Sequence, residues 1–358
     1  MNDVPLIELS GPAQERGLAH GRALAGRLRG FLGDSLARLG YLASRPVNLA
    51  SAGLAIAAHR DAVAAVLPDL AEEVDGLAAG AGISSDEAWL LQVRREILGY
   101  SRVTAGDCTS YAAIRGAPVL AQTVDLNGNL DDQIAVLAVR GPRHRSVTLS
   151  FAGLLGYLGV NDAGVAIGLN LVLGGDWDPG VPPYLAIRHA LDNADSVDHA
   201  VTILGDLPLS SSRSFMICGE DKAVCVEALG TERRVLEGRE LFHTNHFLHP
   251  DFAARDEINV FAGNSSRRRL EAARAAGIPD ANDTEGHLRL LSTAPIYVPD
   301  NGDIRRERTV AAVVLRPDLG EMRLWPGDPA NAKECVLAYA DGSCEREPRA
   351  GALVQHPR

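Results

Sequence analysis

The sequence predicts an α+β fold, and three observations support that prediction. Apolar residues recur at helical spacing through most of the first hundred residues. From Cys108 onward, short apolar runs alternate with Gly, Pro, Asn and Asp, as they do in β-strands and turns. No internal repeat, low-complexity segment or linker divides the 358 residues, so we expect sheets with helices packed against them in one domain.

The helical elements come first along the chain. Helical spacing of apolar residues predicts one helix in residues 11–40 and one or two more in residues 52–80. A further helix is expected over residues 84–99, because the polar run Ser84-Ser85-Asp86-Glu87 precedes an apolar, periodic stretch. The first hundred residues are therefore predicted to be mostly α.

The strand-rich region follows, with two more helices inside it. Pro182 and Pro183 are typical of a helix start, and a basic run late in the chain favours a short helix. The strands are expected over residues 109–114, 119–123, 134–139, 146–151 and 165–171, then as three short strands within 213–242, and as a hairpin of 309–315 and 321–325. The helices are expected over residues 184–204 and 267–276.

Composition and charge exclude several classes of partner. Hydrophobic residues make up 46% and charged residues 23%, as in ordinary globular proteins. The net charge of -11 argues against nucleic acid or an anionic membrane as a partner, because both require basic surfaces. No secretory signal and no apolar run of transmembrane length is visible, so a cytoplasmic protein is expected. Lysine occurs only at Lys222 and Lys333 while arginine is abundant, which is typical of a GC-rich, bacterial genome.

The five cysteines do not form a zinc-binding pattern. Their number is odd and no Cys-x-x-Cys pair occurs. His243 and His246 lack a third ligand at a matching spacing, so we expect no metal. In a reducing cytoplasm four of the cysteines are expected to be buried thiols in strands: Cys218, Cys225, Cys335 and Cys344.

The fifth cysteine, Cys108, stands where the helical region gives way to the first strand. A free thiol has a pKa of about 8.5 and needs a base to become a good nucleophile. If the chain is cut between Asp107 and Cys108, the new α-amino group, with a pKa of about 7.7–8.0, is a base on the same residue. None of the ten histidines lies in a cysteine-protease context, yet a buried structural thiol remains the alternative.

Further motifs downstream resemble a known family. Cys108-Thr109-Ser110-Tyr111, followed by Gln122-Thr123-Val124-Asp125, resembles the start of the β-subunit in the acyl-coenzyme A:6-aminopenicillanic acid acyltransferase family. Residues 160–170 are similar to a second block, which the related choloylglycine hydrolases and penicillin V acylases also carry. The remaining similar blocks are Gly17–Gly21, Arg94–Ile97, His243–Phe247 and Asn264–Leu270, so the resemblance runs from about residue 5 to residue 330.

This resemblance implies a fold, a maturation step and an activity. The fold would be the four-layer αββα fold of the N-terminal-nucleophile hydrolases. Self-cleavage before Cys108 would leave an α-chain of residues 1–107 and a β-chain of residues 108–358, associated as a heterodimer. The enzyme would cleave or transfer an acyl group from a small-molecule amide or acyl donor through a Cys108 thioester. It would need no cofactor, although acyl-coenzyme A could be a substrate.

The resemblance also implies roles for single residues. Cys108 would be the nucleophile and Asp125 would hold its free amine. Asn170 and Asn245 would donate hydrogen bonds to the oxyanion, and Arg308 would lower the pKa of the thiol or bind an anionic group. Without the motifs, Asp125 would be interpreted as turn chemistry and Asn170 as the end of a strand. The arginines at 267–269 are expected to form a solvated helix face.

Two departures from the family pattern affect these expectations. Asp107 stands where the family has glycine, which puts efficient self-cleavage in question because glycine tolerates the strained backbone of the first step. Thr123 and Val124 replace an asparagine and an aromatic residue, so a penicillin is not assumed as substrate. Thr109 and Trp177 are the expected substrate contacts, and the acceptor is expected to bind loops 126–133, 173–183 and 293–308.

Two alternatives to this activity stay open. One is an uncleaved, non-enzymatic binding or scaffold protein of the same fold. The other is a papain-like thiol hydrolase that uses a histidine as its base.

Overall fold

Residues 4–99 and 108–348 are described by the structure, a computed structural model. Asp107, and with it the expected cleavage bond, lies outside the described residues. The described segments fold into two β-sheets that face each other, with helices on both outer sides.

The elements follow one another along the chain as the sequence pattern broadly predicts. The helices are α1 Ala13–Gly33, α2 Leu39–Leu42, α3 Leu49–Val66, α4 Pro68–Ala81, α5 Ser85–Gln92, α6 Arg94–Leu98, α7 Pro183–Asn193, α8 Val197–Asp206, α9 Pro250–Ala253, α10 Val260–Ala276 and α11 Thr284–Leu291. The strands are β1 Leu6–Leu9, β2 Ser110–Arg115, β3 Ala117–Leu126, β4 Ile134–Arg140, β5 Arg145–Phe151, β6 Leu158–Asn161, β7 Ala166–Leu171, β8 Arg213–Cys218, β9 Ala223–Leu229, β10 Glu232–Glu237, β11 Glu240–His243, β12 Arg308–Arg316, β13 Glu321–Pro326, β14 Glu334–Tyr339 and β15 Cys344–Pro348.

The strands form two sheets of different composition. The first has eight strands in the order β1-β4-β5-β6-β7-β8-β9-β10, and the second has seven in the order β11-β2-β3-β12-β13-β14-β15. β1 runs parallel to β4, and the other pairings are antiparallel. The segment before Cys108 therefore supplies an edge strand to a sheet that is otherwise built from residues after it.

Contacts between the elements define four layers. β2 and β3 pack against β7 and β8, so the sheets face each other. Helices α7 and α8 lie against the outer face of the first sheet, while α10 and α11 contact the second. Side-chain alternation along β2 shows the same order: Ala112 and Ile114 belong to the core between the sheets, and Tyr111 belongs to the core beneath α11. The predicted α+β class and the αββα layer order are confirmed.

The N-terminal helices are joined to the rest of the molecule through a buried ion cluster. Glu73 on α4 accepts hydrogen bonds from Arg188 on α7, at 2.8 and 3.1 Å, and from Arg16 on α1 at 2.9 Å. The side chains of Glu73 and Arg188 are both 0% exposed. Because a buried charge is costly unless paired, this cluster fixes the helical layer against the strand-rich region.

Several predicted elements differ from the observed ones. The expected helix over residues 184–204 is wrong: α7 and α8 are separate, and Ser196 caps the second by accepting from the His199 N–H. Residues 213–243 form four strands rather than three. The helix predicted at 267–276 begins earlier, because the Asn259 side chain caps α10. The helix start at Ser84 is confirmed, with Ser84 and Glu87 capping each other.

One helix changes the expectation about membrane-length segments. α3 is 18 residues long with a mean hydropathy of 1.2, so by length and composition alone it could cross a membrane. The expectation that no segment reaches that length is therefore wrong. Only 22% of α3 is buried, so it is not a core helix. Its buried residues include His59, whose Nδ1 lies 3.2 Å from the carbonyl oxygen of Gly180.

Candidate active site

Cys108 lies directly before β2 and is 4% exposed. Its side chain faces a narrow cleft of about 40 Å³. The cleft is lined by residues of both sheets, of α6 and α7, and of the loops between them: Arg95, Cys108, Asp125, Leu126, Asn127, Tyr157, Leu169, Leu171, Tyr184, Arg213 and Glu307. The thiol is therefore buried, but it borders a cavity rather than packing wholly into the core.

The backbone carbonyl of Cys108 is held by two donors. Asn170 Nδ2, on β7, lies 2.9 Å from this oxygen, and Arg269 Nη1, on α10, lies 2.8 Å from it. Both side chains are buried. Hydrogen bonds from buried groups, one of them charged, fix the residue strongly and leave its thiol directed into the cleft.

The orientation of the Asn170 amide is set by a neighbour on β2. The hydroxyl of Ser110 donates to Asn170 Oδ1 at 2.5 Å. With its oxygen engaged, the amide presents its N–H₂ group to the carbonyl of Cys108. Asn170 therefore lies at Cys108 and holds the backbone of that residue, while its oxyanion role stays a prediction.

Asp125, on β3, lines the cleft and contacts the thiol through its backbone. Its backbone N–H donates to Cys108 Sγ at 3.4 Å, and its side-chain Oδ1 accepts from the Thr309 hydroxyl at 2.7 Å. An N–H donor directed at sulfur favours the thiolate over the thiol. The predicted closeness of Asp125 to Cys108 is thus seen in the structure.

Tyr157 is a neighbour of the thiol that the sequence motifs did not indicate. Its hydroxyl lies 4.0 Å from Cys108 Sγ. The ring stacks on Tyr184, with centroids 5.4 Å apart, and meets Phe151 edge-on at 5.1 Å. These contacts keep the Tyr157 ring rigid beside the nucleophile.

Asn245 enters the same network through Arg269. Its Oδ1 accepts from Arg269 Nη2 at 2.7 Å, while its Nδ2 donates to the Leu171 carbonyl at 2.9 Å. The loop that carries Asn245 is fixed by a buried pair, since His243 Nε2 lies 2.9 Å from Glu227 Oε1. In the uncleaved chain the Asn245 amide thus donates to a backbone carbonyl, and its oxyanion role stays a prediction.

The expectation that the arginines at 267–269 form a solvated helix face is wrong for Arg269. Arg267 and Arg268 are exposed, but Arg269 is 1% exposed and bonds to Cys108, to Asn245 and, at 3.1 Å, to Thr109 Oγ1. The expected solvated face therefore holds only for the first two. Because α10 begins at Val260, position 269 falls on the inward face with Ser266, Leu270 and Ala273.

Three other predicted residues lie where they cannot play the expected part directly. Arg308 pairs with Asp131 at 2.5 Å and with Asn129 at 3.0 Å, and it does not line the cleft of Cys108. Thr109 is 0% exposed and donates its N–H to the Thr123 hydroxyl, so it supports the site from beneath. Trp177 does not line the cleft itself but packs against Arg95 and Arg213, which do.

The remaining cysteines are poor nucleophiles. Burial raises the pKa of Cys218, Cys225 and Cys335 to about 12, so these thiols are protonated at neutral pH. Cys344 is only partly buried, which differs from the expectation, and burial also raises its pKa. Cys108 is the cysteine that combines a cleft with a donor directed at its sulfur.

The two histidines that could suggest a metal have other partners. His243 pairs with Glu227, and His246 Nδ1 lies 2.7 Å from the Ser266 hydroxyl. Burial lowers the pKa of His246 to about 4. Within residues 4–99 and 108–348, no group of three His, Cys, Asp or Glu side chains is placed to hold a metal ion.

Comparison with known proteins matches this chain to a family and to curated relatives. Residues 114–331 match the family described as acyl-coenzyme A:6-aminopenicillanic acid acyl-transferase. The 40 kDa form of acyl-coenzyme A:6-aminopenicillanic-acid-acyltransferase from Emericella nidulans is 28% identical over 218 residues, which are 57% of this chain and 59% of that protein. The chain therefore matches less than two thirds of its relative. The family match begins six residues after Cys108 and includes Asp125, Asn170, Asn245 and Arg269.

Solved structures with similar folds are more distant. An N-acylethanolamine-hydrolyzing acid amidase ortholog from Caenorhabditis elegans is 18% identical, with 59% of this chain and 94% of that chain covered and a TM-score of 0.45. A variant of conjugated bile acid hydrolase from Clostridium perfringens is 11% identical, with coverage of 67% and 97% and a TM-score of 0.49. The four-layer order of this chain is established by the contacts between its own helices and strands.

Proposed function

Because the chain belongs to the acyl-coenzyme A:6-aminopenicillanic acid acyl-transferase family, we propose that it is a self-activating cysteine amidohydrolase or N-acyltransferase. One observation carries the proposal: the Cys108 thiol lines a cleft while two side chains, Asn170 and Arg269, hold the carbonyl of the same residue. A backbone fixed in this way keeps the thiol in place even after the chain before it is cut.

Activation would begin with an acyl shift. The Cys108 sulfur attacks the carbonyl carbon of Asp107, the peptide C–N bond breaks, and a thioester forms while the Cys108 nitrogen takes up a proton. Water then hydrolyses the thioester, leaving a carboxylate on Asp107 and a restored thiol on Cys108. The N–H of Asp125, 3.4 Å from Sγ, supports the thiolate that starts the step.

Turnover would use the same atoms on an external amide. The freed α-amino group takes the thiol proton, the sulfur attacks the substrate carbonyl, and the protonated amine returns a proton to the leaving amine. Asp125, positioned by Thr309, would hold the α-amino group. Asn170 and Asn245 are the proposed oxyanion donors. Asn170 would use the second N–H of its amide and keep its bond to the Cys108 carbonyl, while Asn245 would exchange the Leu171 carbonyl for the oxyanion.

The acyl-Cys108 thioester would then react with water or with an amine. Water makes the protein a hydrolase, and an amine makes it an acyltransferase. A small-molecule amide is the proposed donor, and an acyl-coenzyme A thioester would enter the same thioester state as a substrate. No resident cofactor takes part in these steps.

The two chains would stay together after cleavage. β1, from residues before Cys108, pairs with β4, and the buried pair of Glu73 and Arg188 joins the two parts. A reducing, cytoplasmic location in a bacterium is part of the proposal. It fits the five cysteines, none of which forms a disulfide within the described residues.

Intact-mass analysis of the purified protein tests this function. Wild type is expected as two chains, residues 1–107 and 108–358, and to gain the mass of an acyl group on the second chain when given an amide substrate. Cys108→Ala is expected to remain one chain and gain no mass. Cys344→Ala removes a thiol outside the cleft and is the matched control, with cleavage unchanged.

The alternative is an uncleaved binding or scaffold protein. A wild-type chain that stays intact and gains no acyl group from a panel of amides and thioesters would favour it. An intact chain that turns over amides through Cys108 would instead indicate a papain-like use of the thiol, because no free α-amine would exist.

A further inference from the structure

Two arginines line the same cleft as Cys108. Arg95 comes from α6, before the expected cleavage site, and Arg213 begins β8. Tyr157 and Tyr184 line it too: their rings stack with centroids 5.4 Å apart, and the Tyr157 hydroxyl lies 4.0 Å from Cys108 Sγ. The cleft of the candidate nucleophile therefore contains two guanidinium groups.

Both guanidinium groups are held against one indole. The Cζ atoms of Arg213 and Arg95 lie 5.2 and 5.7 Å from the ring centroid of Trp177. Trp177 is itself fixed, because its Nε1 donates to the Ser212 hydroxyl at 3.1 Å. Cation–π contact of this kind orients an arginine without neutralising its charge.

The two arginines differ in whether a carboxylate of the protein pairs with them. Arg213 Nη2 lies 3.4 Å from Glu96 Oε1, and both side chains are 2% exposed, so this charge has a buried partner. Over the part of the chain that the structure describes, no carboxylate lies within ion-pair distance of Arg95. The two carboxylates that line the cleft, Asp125 and Glu307, accept hydrogen bonds from Thr309 and Asn127.

We propose that Arg95 binds a carboxylate of the substrate, so that the enzyme selects amides that carry a negative charge close to the bond that is cut. This inference rests on the proposed function and adds a substrate class to it. Arg95 belongs to the α-chain, so the segment before Cys108 would contribute specificity as well as the precursor's structure. A planar guanidinium pairs well with a carboxylate, and Trp177 keeps its plane fixed before the substrate arrives.

The carboxylate could be carried by the acyl part or by the amine part of the amide. Two substrate pairs separate these sources. In the first, pentanoyl 4-nitroanilide is compared with glutaryl 4-nitroanilide, which adds a carboxylate to the acyl group. In the second, N-pentanoyl aniline is compared with N-pentanoyl 4-aminobenzoate, which adds it to the amine.

The measurement is kcat/KM for each pair on the processed wild-type enzyme and on Arg95→Gln. Wild type is expected to prefer the charged member of one pair by roughly 10- to 100-fold, as for a hydrogen bond to a charged group. Arg95→Gln is expected to lose that preference through a raised KM for the charged member. Arg95→Lys should recover part of the preference, and exposed Arg268→Gln should leave it intact.

Equal kcat/KM for the charged and neutral members of both pairs in wild type overturns the inference, while cleavage and turnover leave the proposed function standing. If Arg95→Gln does not fold, the wild-type comparison still decides. If processed wild type turns over none of the four amides, their affinities for that same processed enzyme are measured by calorimetry. Binding of a charged member at least about 10-fold tighter than its neutral partner supports the inference, and equal binding overturns it.

Discussion

The guanidinium of Arg269 donates a 2.8 Å hydrogen bond to the backbone carbonyl oxygen of Cys108, 161 residues away in the sequence. The same group reaches Asn245 at 2.7 Å, so one buried cation connects the candidate nucleophile with the loop of a candidate oxyanion donor. If Cys108 becomes a chain terminus, no preceding residue will restrain it. The contacts of Arg269 and Asn170 with its carbonyl would then keep the terminus in place.

Replacing Arg269 by glutamine should therefore reduce the activity of the enzyme much more than it reduces the stability of the two sheets. The shorter, neutral side chain cannot reach Cys108 and Asn245 together, and a buried hydrogen bond to a charged group contributes about 1.5–3 kcal/mol. We expect kcat to fall roughly 10- to 100-fold on the processed enzyme. Steady-state kinetics on a chain whose cleavage has been checked by mass gives the result.

The control is the neighbouring arginine on the same helix. Arg268 is exposed, so Arg268→Gln keeps the composition of α10 similar without touching the site. Its kcat should match that of wild type. Equal losses in both variants would mean that the effect comes from the helix rather than from the Cys108 carbonyl.

Ser110→Ala tests whether the Asn170 amide is held in one orientation. The hydroxyl of Ser110 donates to Asn170 Oδ1 at 2.5 Å, and its removal allows the amide to rotate and withdraw its N–H₂ from Cys108. One neutral hydrogen bond contributes about 0.5–1.5 kcal/mol, so we expect a loss of roughly 2- to 12-fold in kcat. Thermal unfolding should change little. An unaltered kcat would show that Asn170 keeps its orientation without Ser110.

The sequence predicted the layers of this protein better than it predicted their edges. Short apolar runs with turn residues at their ends marked β2 to β5, which are buried on both faces. The missed elements include β1, only four residues long, and α11, whose polar Thr284-Glu285-Gly286-His287 start hides its apolar face. In both cases tertiary packing rather than local pattern stabilises the element.

The residues of the candidate site also include some that the sequence predicted and some that it did not. Cys108, Asp125 and Asn170 could be proposed from motifs, and their contacts are seen. Arg269 could have been placed on a buried face by its helical spacing with Ser266 and Leu270, had the helix been started at Asn259. Tyr157 had no such signal, and Arg95 was marked only as part of the block Arg94–Ile97. Neither periodicity nor spacing states which distant side chains meet across a cleft.

Two helices of the N-terminal region cross so closely that glycine is required at the contact. An added Cβ at Gly21 of α1 would collide with the Leu77 carbonyl oxygen of α4, and one at Gly17 with that of Glu73. Gly21→Ala should therefore lower the free energy of unfolding by about 1–3 kcal/mol or more through overpacking. Gly26, on the same helix, has nothing within 4 Å of an added Cβ. Gly26→Ala should stabilise the helix by about 0.5–1 kcal/mol. Denaturant unfolding of the two variants measures the change in the free energy of unfolding for each. Equal changes would contradict the close crossing of the two helices.

His20 should make the protein less stable as the pH falls from 6.5 towards 4. Its ring is buried with no hydrogen-bond partner for either nitrogen among the described residues, and burial lowers its pKa to about 4. The unfolded chain binds a proton near pH 6.5 while the folded chain does not, so protons favour unfolding across this interval. A pKa lowered from 6.5 to about 4 corresponds to about 3 kcal/mol of stability, present above pH 6.5 and lost by pH 4. His20→Leu should remove this dependence. The difference in the free energy of unfolding, variant minus wild type, should therefore rise by about 3 kcal/mol as the pH falls from 7 to 4. Parallel pH curves for the two proteins would show that His20 titrates alike when folded and unfolded.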